Sequence, residues 1–162
     1  INHSIGRKST IISSKRIQIK RIQMIKIDFI DTDILTEEMF GVKEWIRDFV
    51  NAYGKEVGEL YYSFCSDEYL YKMNVELLGH DFYTDIITFP LNECETILSA
   101  EFHISIDRIK ENAVTFNRSF RDELHRVMAH GVLHLIGFDD LCEDDEKQMR
   151  EEEEKCLMMR VN

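Results

Sequence analysis

The chain has 162 residues, 44% of them hydrophobic and 31% charged, with a net charge of −11. That length fits one domain able to bury most of its apolar surface, and one proline with seven glycines argues against a loop-rich or low-complexity chain. No apolar run has the length of a membrane span, no secretory segment is visible, and so acidic a body argues against tight, sequence-independent binding to long nucleic acid.

The charge is unevenly spread. Residues 1–23 hold six basic residues and no acidic one, which leaves −17 on the remainder. This stretch reads as a basic extension, disordered or non-native, with only a brief alternation at Arg16-Ile17-Gln18-Ile19-Lys20; a basic arm for RNA and a targeting segment are the alternatives. The single domain is expected over 24–162. Its first strand is Met24 to Ile30. Thr36 is expected to cap a helix running to about Tyr53, buried along Phe40, Trp45, Ile46, Phe49 and Val50, with Gly54 and Gly58 ending it.

Leu60 to Cys65 reads as a strand, and Ser66 caps a helix through about Leu77. A turn at Gly79-His80-Asp81 leads to a strand at Thr84–Phe89, closed by Pro90. A further strand is expected at Glu101–Ile106, then a helix capped by Asp107 and reaching about Thr115. Ser119 with Asp122 resembles a capping box that opens the next helix. The last helix, Glu143 to Met159, docks through Met149, Cys156 and Met159, and Glu151 to Glu154 read as its solvated face. The fold class is α+β: a small mixed sheet of about four strands with about five helices.

The helix after Ser119 carries the chemistry. His130 and His134 are four apart, so they sit about 40° apart around the axis and project from one face. Their neighbours Val127, Met128, Ala129, Val132, Leu133, Leu135 and Ile136 are core residues by type, and an imidazole buried there without a partner costs about 1–3 kcal/mol. Gly137 ends the helix in a left-handed turn, and the chain can then fold Asp139 or Asp140 back toward the histidines. His130, His134 and Asp140 would give one zinc ion three protein ligands and an open position, as in catalytic sites. The H-x3-H-x5-D spacing is similar to the zinc helix of metzincin-type proteases, yet Gly131 stands where those carry the general-base glutamate. Cys65, Cys94, Cys142 and Cys156 lack C-x2-C spacing and suggest a reduced, cytoplasmic protein, with Cys142 a rival ligand by position.

His130-Gly131-Val132-Leu133-His134-Leu135-Ile136-Gly137-Phe138-Asp139-Asp140 resembles the H-G-x-L-H-L-x-G-[YF]-D-H signature of the YbeY-type rRNA maturation factors at ten of eleven positions. The likeness extends through Asn74, Asp81, Thr84 to Pro90, Ile104-Ser105 and Asp145-Glu146-x-x-Met149, and so spans about 24–160. It implies a zinc-dependent endoribonuclease that cleaves single-stranded RNA, matures the 3′ end of small-subunit rRNA and serves ribosome quality control. Its implied partners are rRNA, the small ribosomal subunit or assembly proteins, and no membrane. Two positions depart from the family. Its third histidine ligand falls on Asp140, and the arginine to which its catalysis is attributed falls on Leu78, with His80 a substitute two residues on. Asp85 is a candidate for orienting a ligand, and Arg121 and Arg126 for contacting the RNA backbone or forming surface ion pairs. A zinc-stabilised assembly factor without strong nuclease activity and a zinc peptidase or amidase are the competing readings.

Overall fold

The middle of the molecule is strand β2 (Glu56–Cys65), flanked on one side by β1 (Met24–Phe29) and on the other by β4 (Ile97–Ser105). The computed structural model describes residues 23–33 and 35–161; the basic stretch, with its alternation at 16–20, lies outside them. Both pairings of β2 are parallel, and β3 (Ile86–Pro90) closes the sheet antiparallel to β4, giving the order β1-β2-β4-β3. Interior parallel strands are covered on both faces and so are rich in apolar residues. Leu60, Tyr62, Phe64, Phe102 and Ile104 are all fully buried.

Five helices complete the α+β domain: α1 (Val42–Ala52), α2 (Asp67–Leu78), α3 (Ile106–Thr115), α4 (Phe120–Ile136) and α5 (Glu143–Met158). The main core joins α1, α4 and α5 to the sheet, whereas Leu70 of α2 packs with Cys65 and Ile87 in a separate small cluster. Because side chains alternate along a strand, Ile86 joins the main core while Ile87 joins that second cluster.

Several expected boundaries move. The helix expected from Thr36 begins only at Val42, because Gly41 takes φ 72°, a left-handed backbone that no helix passes through; Phe40, left outside it, is exposed rather than buried. Gly58 lies inside β2, where the register shifts between Val57 and Leu60. The Glu59 amide there donates to Ser99 Oγ at 3.1 Å, so a side chain at 58 would collide with Ser99. β4 starts at Ile97 instead of Glu101, since residues 97–98 pair with 56–57. Ser105, not Asp107, caps α3 by accepting from the Arg108 amide at 3.2 Å, and Asp107 accepts from the Asp67 amide at 2.9 Å. Ser66 caps α2 as expected. Met149 and Cys156 dock α5, but Met159 is exposed past its end.

The largest correction is on α5. Glu152 and Glu153 are buried, not on a solvated face. Met149, Glu152, Glu153, Cys156 and Leu157 follow the i, i+3, i+4 pattern of a buried stripe, with two glutamates in positions that apolar residues usually fill.

Candidate metal centre

Helix α4 builds the site, and its local sequence explains its placement. Ser119 Oγ accepts the Asp122 amide at 3.0 Å and caps the helix. Only this half of the expected capping box is present, because the Asp122 carboxylate is taken by Arg160 at 2.6 Å. Gly131 faces the sheet, where a Cβ would approach Ile86 and Phe102 to 2.8 Å. The helix therefore lies against the sheet at a distance that no larger residue allows. His130 and His134, about 100° and 60° round the helix axis from Gly131, then stand at the flank of that contact and open onto a cleft lined by Thr84, Asp85, Ile86, Thr88, Pro90, Leu135 and Asp140.

Gly137 ends α4 at φ 119°, and the amides of Gly137 and Phe138 both return to the Leu133 carbonyl at 3.1 Å. This is a glycine-dependent helix stop. It has a second effect, because the Phe138 carbonyl comes to lie 3.0 Å from His134 Nδ1. A carbonyl only accepts, so that nitrogen carries the proton, and in the neutral ring Nε2 is left with its lone pair. On the other histidine, Nδ1 lies 2.7 Å from the Glu153 carboxylate. Burial would raise the Glu153 pKa, but the His130 hydrogen bond and the Arg126 guanidinium outweigh it and hold the carboxyl below its ordinary range. An ionised carboxylate also only accepts, so His130 has the same tautomer.

The two Nε2 atoms then face each other at 3.0 Å, with Asp140 Oδ2 3.6 Å from each. Two imidazole nitrogens and one carboxylate oxygen thus converge on one point, a set of donor atoms for a cation. The separations bracket the ~3.3 Å edge of a tetrahedron with zinc-to-nitrogen distances of about 2.0–2.1 Å. Among the described residues, His130, His134 and Asp140 form the group of histidine and acidic side chains close enough to share an ion. The donor set fits a metal.

The remaining candidates separate clearly. Asp139 turns its Oδ1 to the Asp140 amide at 2.9 Å, which leaves Asp140 as the carboxylate at the site. Cys142 is exposed and outside the group. Asp85 lines the cleft, accepts from Asn112 Nδ2 at 3.3 Å and lies 4.0 Å from Arg126. His80 is exposed, its ring stacked on Phe82 at 5.2 Å, and neither it nor the exposed Leu78 is among the residues lining the cleft. Arg121 is exposed at the start of α4.

Arg126 is the residue whose setting differs most from a surface ion pair. Its Nε and Nη2 bind both oxygens of fully buried Glu123, and its Nη1 binds both oxygens of Glu153 at 3.0 and 3.1 Å. A guanidinium so occupied is not free for a phosphate. The sequence reading places Glu153 on a solvated face and gives Glu123 no role; the stripe on α5 is the available signal for the first, and Glu123 carries none.

Comparison with known proteins agrees with this geometry. The family model described as endoribonuclease YbeY matches residues 20–160. A relative of that name from Porphyromonas gingivalis is 49% identical over 118 residues, which cover 73% of this chain and 78% of the relative. One from Bacteroides thetaiotaomicron is 46% identical over 117 residues, 72% of this chain and 85% of the relative. The solution structure of a Thermotoga maritima protein superimposes with a TM-score of 0.63 at 29% identity, covering 84% of this chain and 88% of that one. On its fold, its motif and these matches, the chain belongs to the YbeY endoribonuclease family.

Proposed function

We propose that this chain is a zinc-dependent hydrolase that cleaves single-stranded RNA, with His130, His134 and Asp140 holding one zinc ion. The observation that carries the reading is the convergence of two imidazole Nε2 atoms and one carboxylate oxygen on a single point of an open cleft. The names of the relatives supply the substrate class, RNA, and an endonucleolytic reaction. Maturation of the small-subunit rRNA 3′ end, ribosome quality control and contact with the small subunit or its assembly proteins are the finer parts of the proposal. A zinc ion held there supplies a Lewis acid for a phosphoryl oxygen and makes water nucleophilic near neutral pH.

The chain's own residues do the rest. Glu153 and the Phe138 carbonyl fix both imidazoles with Nε2 toward the cleft, so little reorientation is required when the ion and substrate arrive. Asp140 contributes a negative charge where the family has a neutral histidine, which makes the ion a weaker Lewis acid. Leu78 offers no guanidinium to a phosphate, and Arg126 is fully engaged elsewhere. Asp85 lies on the cleft wall, placed to orient a group bound beside the ion, and the exposed turn residue His80 takes no assigned step.

A peptidase is disfavoured on steric grounds. Gly131 lies so close to Ile86 and Phe102 that a glutamate in its place would collide with both, which leaves no room for the protease base at that position.

The test is metal content and RNA cleavage measured on the same untagged protein. Near-stoichiometric zinc and cleavage of a single-stranded oligoribonucleotide are expected, and both are lost in His134→Ala. Zinc without cleavage would leave the assembly-factor reading with a structural metal. Reloadable protein that takes up no metal would end the three-ligand proposal.

A further inference from the structure

Glu153 presents a problem of charge. Taking carboxylates and guanidinium groups out of water is costly unless each is paired. Glu123 and Glu153 are almost completely buried, and the Arg126 side chain is 17% exposed. The two carboxylates and one guanidinium leave one negative charge uncompensated. Arg118 and Arg150 approach from the outer side, but each is paired with its own glutamate, Glu154 and Glu146. Asp85, 4.0 Å from Arg126, is itself an acid and so offers no compensation.

The uncompensated charge has one outlet. Glu153 Oε1 accepts from His130 Nδ1, and the far side of that ring faces the metal position. Asp140 adds a second negative charge at the same place. Buried Glu123, Arg126 and Glu153 therefore sum to one negative charge, and Asp140 adds another beside the metal position, both of the sign that a divalent cation offsets. His134 adds nothing to this sum, since its Nδ1 meets a neutral carbonyl.

We propose that the buried chain Glu123–Arg126–Glu153 is a built-in counter-charge for the metal ion, with Glu153 a positioning residue acting on it through His130. This rests on the metal-site reading above. A purely architectural ion-pair chain joining α4 to α5 would support the fold equally with and without metal. A counter-charge instead couples to the ion: carboxylate partners of ligating histidines typically change metal affinity by about 10–100-fold when removed.

The experiment compares the full chain with Glu153→Gln and Glu153→Ala, using zinc itself as the probe, in buffer well above the ordinary imidazole range of about 6.5. Glutamine keeps the size and an oxygen to accept from His130 but removes the charge. Zinc affinity is read by competition with a chelator, and melting temperature is read with and without zinc. The expected result is a roughly tenfold weaker affinity in Glu153→Gln and up to about a hundredfold in Glu153→Ala. The zinc-induced rise in melting temperature should shrink in the same order, because that rise follows affinity. Equal zinc affinity in wild type and Glu153→Gln, or a lower melting temperature with an unchanged zinc-induced rise, would overturn the counter-charge. Should the alanine variant fail to fold, the glutamine variant decides alone. Wild-type protein that binds no zinc would overturn the metal site itself, a separate outcome from zinc-loaded variants that behave alike.

Discussion

His125 and His130 lie five residues apart on one helix, and the molecule treats them in opposite ways. His125, with its ring 5.2 Å from Trp45, donates from Nε2 to the Glu38 carbonyl at 2.7 Å and accepts at Nδ1 from Arg160 at 3.1 Å. Burial pushes its pKa down to about 4; the hydrogen bond to the Glu38 carbonyl opposes this, Arg160 and Arg121 add to it, and Asp122 gives a small upward pull. Its neighbours make it a neutral hydrogen-bonding strut. His130 meets a carboxylate instead and opens onto the cleft with a bare nitrogen. Both are histidines on α4; a carbonyl partner makes one a structural strut, and a carboxylate partner leaves the other presented to the proposed ion.

The contrast can be broken most completely by deleting each ring in turn. His130→Ala is expected to abolish zinc uptake and RNA cleavage while leaving the metal-free fold largely intact. His125→Ala should do the reverse, losing about 2–4 kcal/mol of stability through a cavity and an unpaired Glu38 carbonyl, with zinc stoichiometry kept in the folded fraction. Metal analysis beside chemical denaturation separates the two; equal zinc loss in both variants would erase the distinction.

A smaller effect comes from pH. Unfolded, His125 takes up its proton near 6.5, and folded only near 4, so between these values the unfolded chain binds more protons. The stability held by the neutral ring is complete above about pH 6.5 and is lost as pH falls through that window, about 3 kcal/mol in all. Denaturation curves across the window should show a shallower slope in His125→Gln than in wild type, and parallel slopes would refute the assignment. Smallest of all, Arg160→Met removes one cation beside Nδ1, and should reduce that acid loss by about 1 kcal/mol or less, since burial is the larger cause.

Much of the site was legible in the sequence because it follows local rules. The i, i+4 pair, the glycine three residues past it and the acidic turn are all set by helix geometry within eleven residues. The identity of the cap at Ser119 and the four-stranded α+β plan were legible for the same reason. The second neighbours were not. Glu153 is 23 residues from His130, and its role depends on how α5 packs against α4, which no short pattern encodes. Four consecutive glutamates look like a solvated face by composition. Only their phase relative to Met149 and Cys156 separates Glu152 and Glu153, which are buried, from Glu151 and Glu154, which are not. The late start of α1 was missed for a related reason: the cap at Thr36 was plausible locally, and the left-handed Gly41 that overrides it is a backbone fact.

The stop at Gly137 makes the end of α4 and the grip on His134 one event. The turn that returns the Gly137 and Phe138 amides to Leu133 is the same turn that presents the Phe138 carbonyl to the imidazole. Fraying of that last turn, the cheapest opening available to a helix, therefore releases a ligand as it releases backbone amides. At the proposed metal site, occupancy and the local opening free energy of residues 133–138 would thus be linked: an ion would slow amide exchange at the helix end, and a substitution that loosens the end would weaken its hold without touching a ligand.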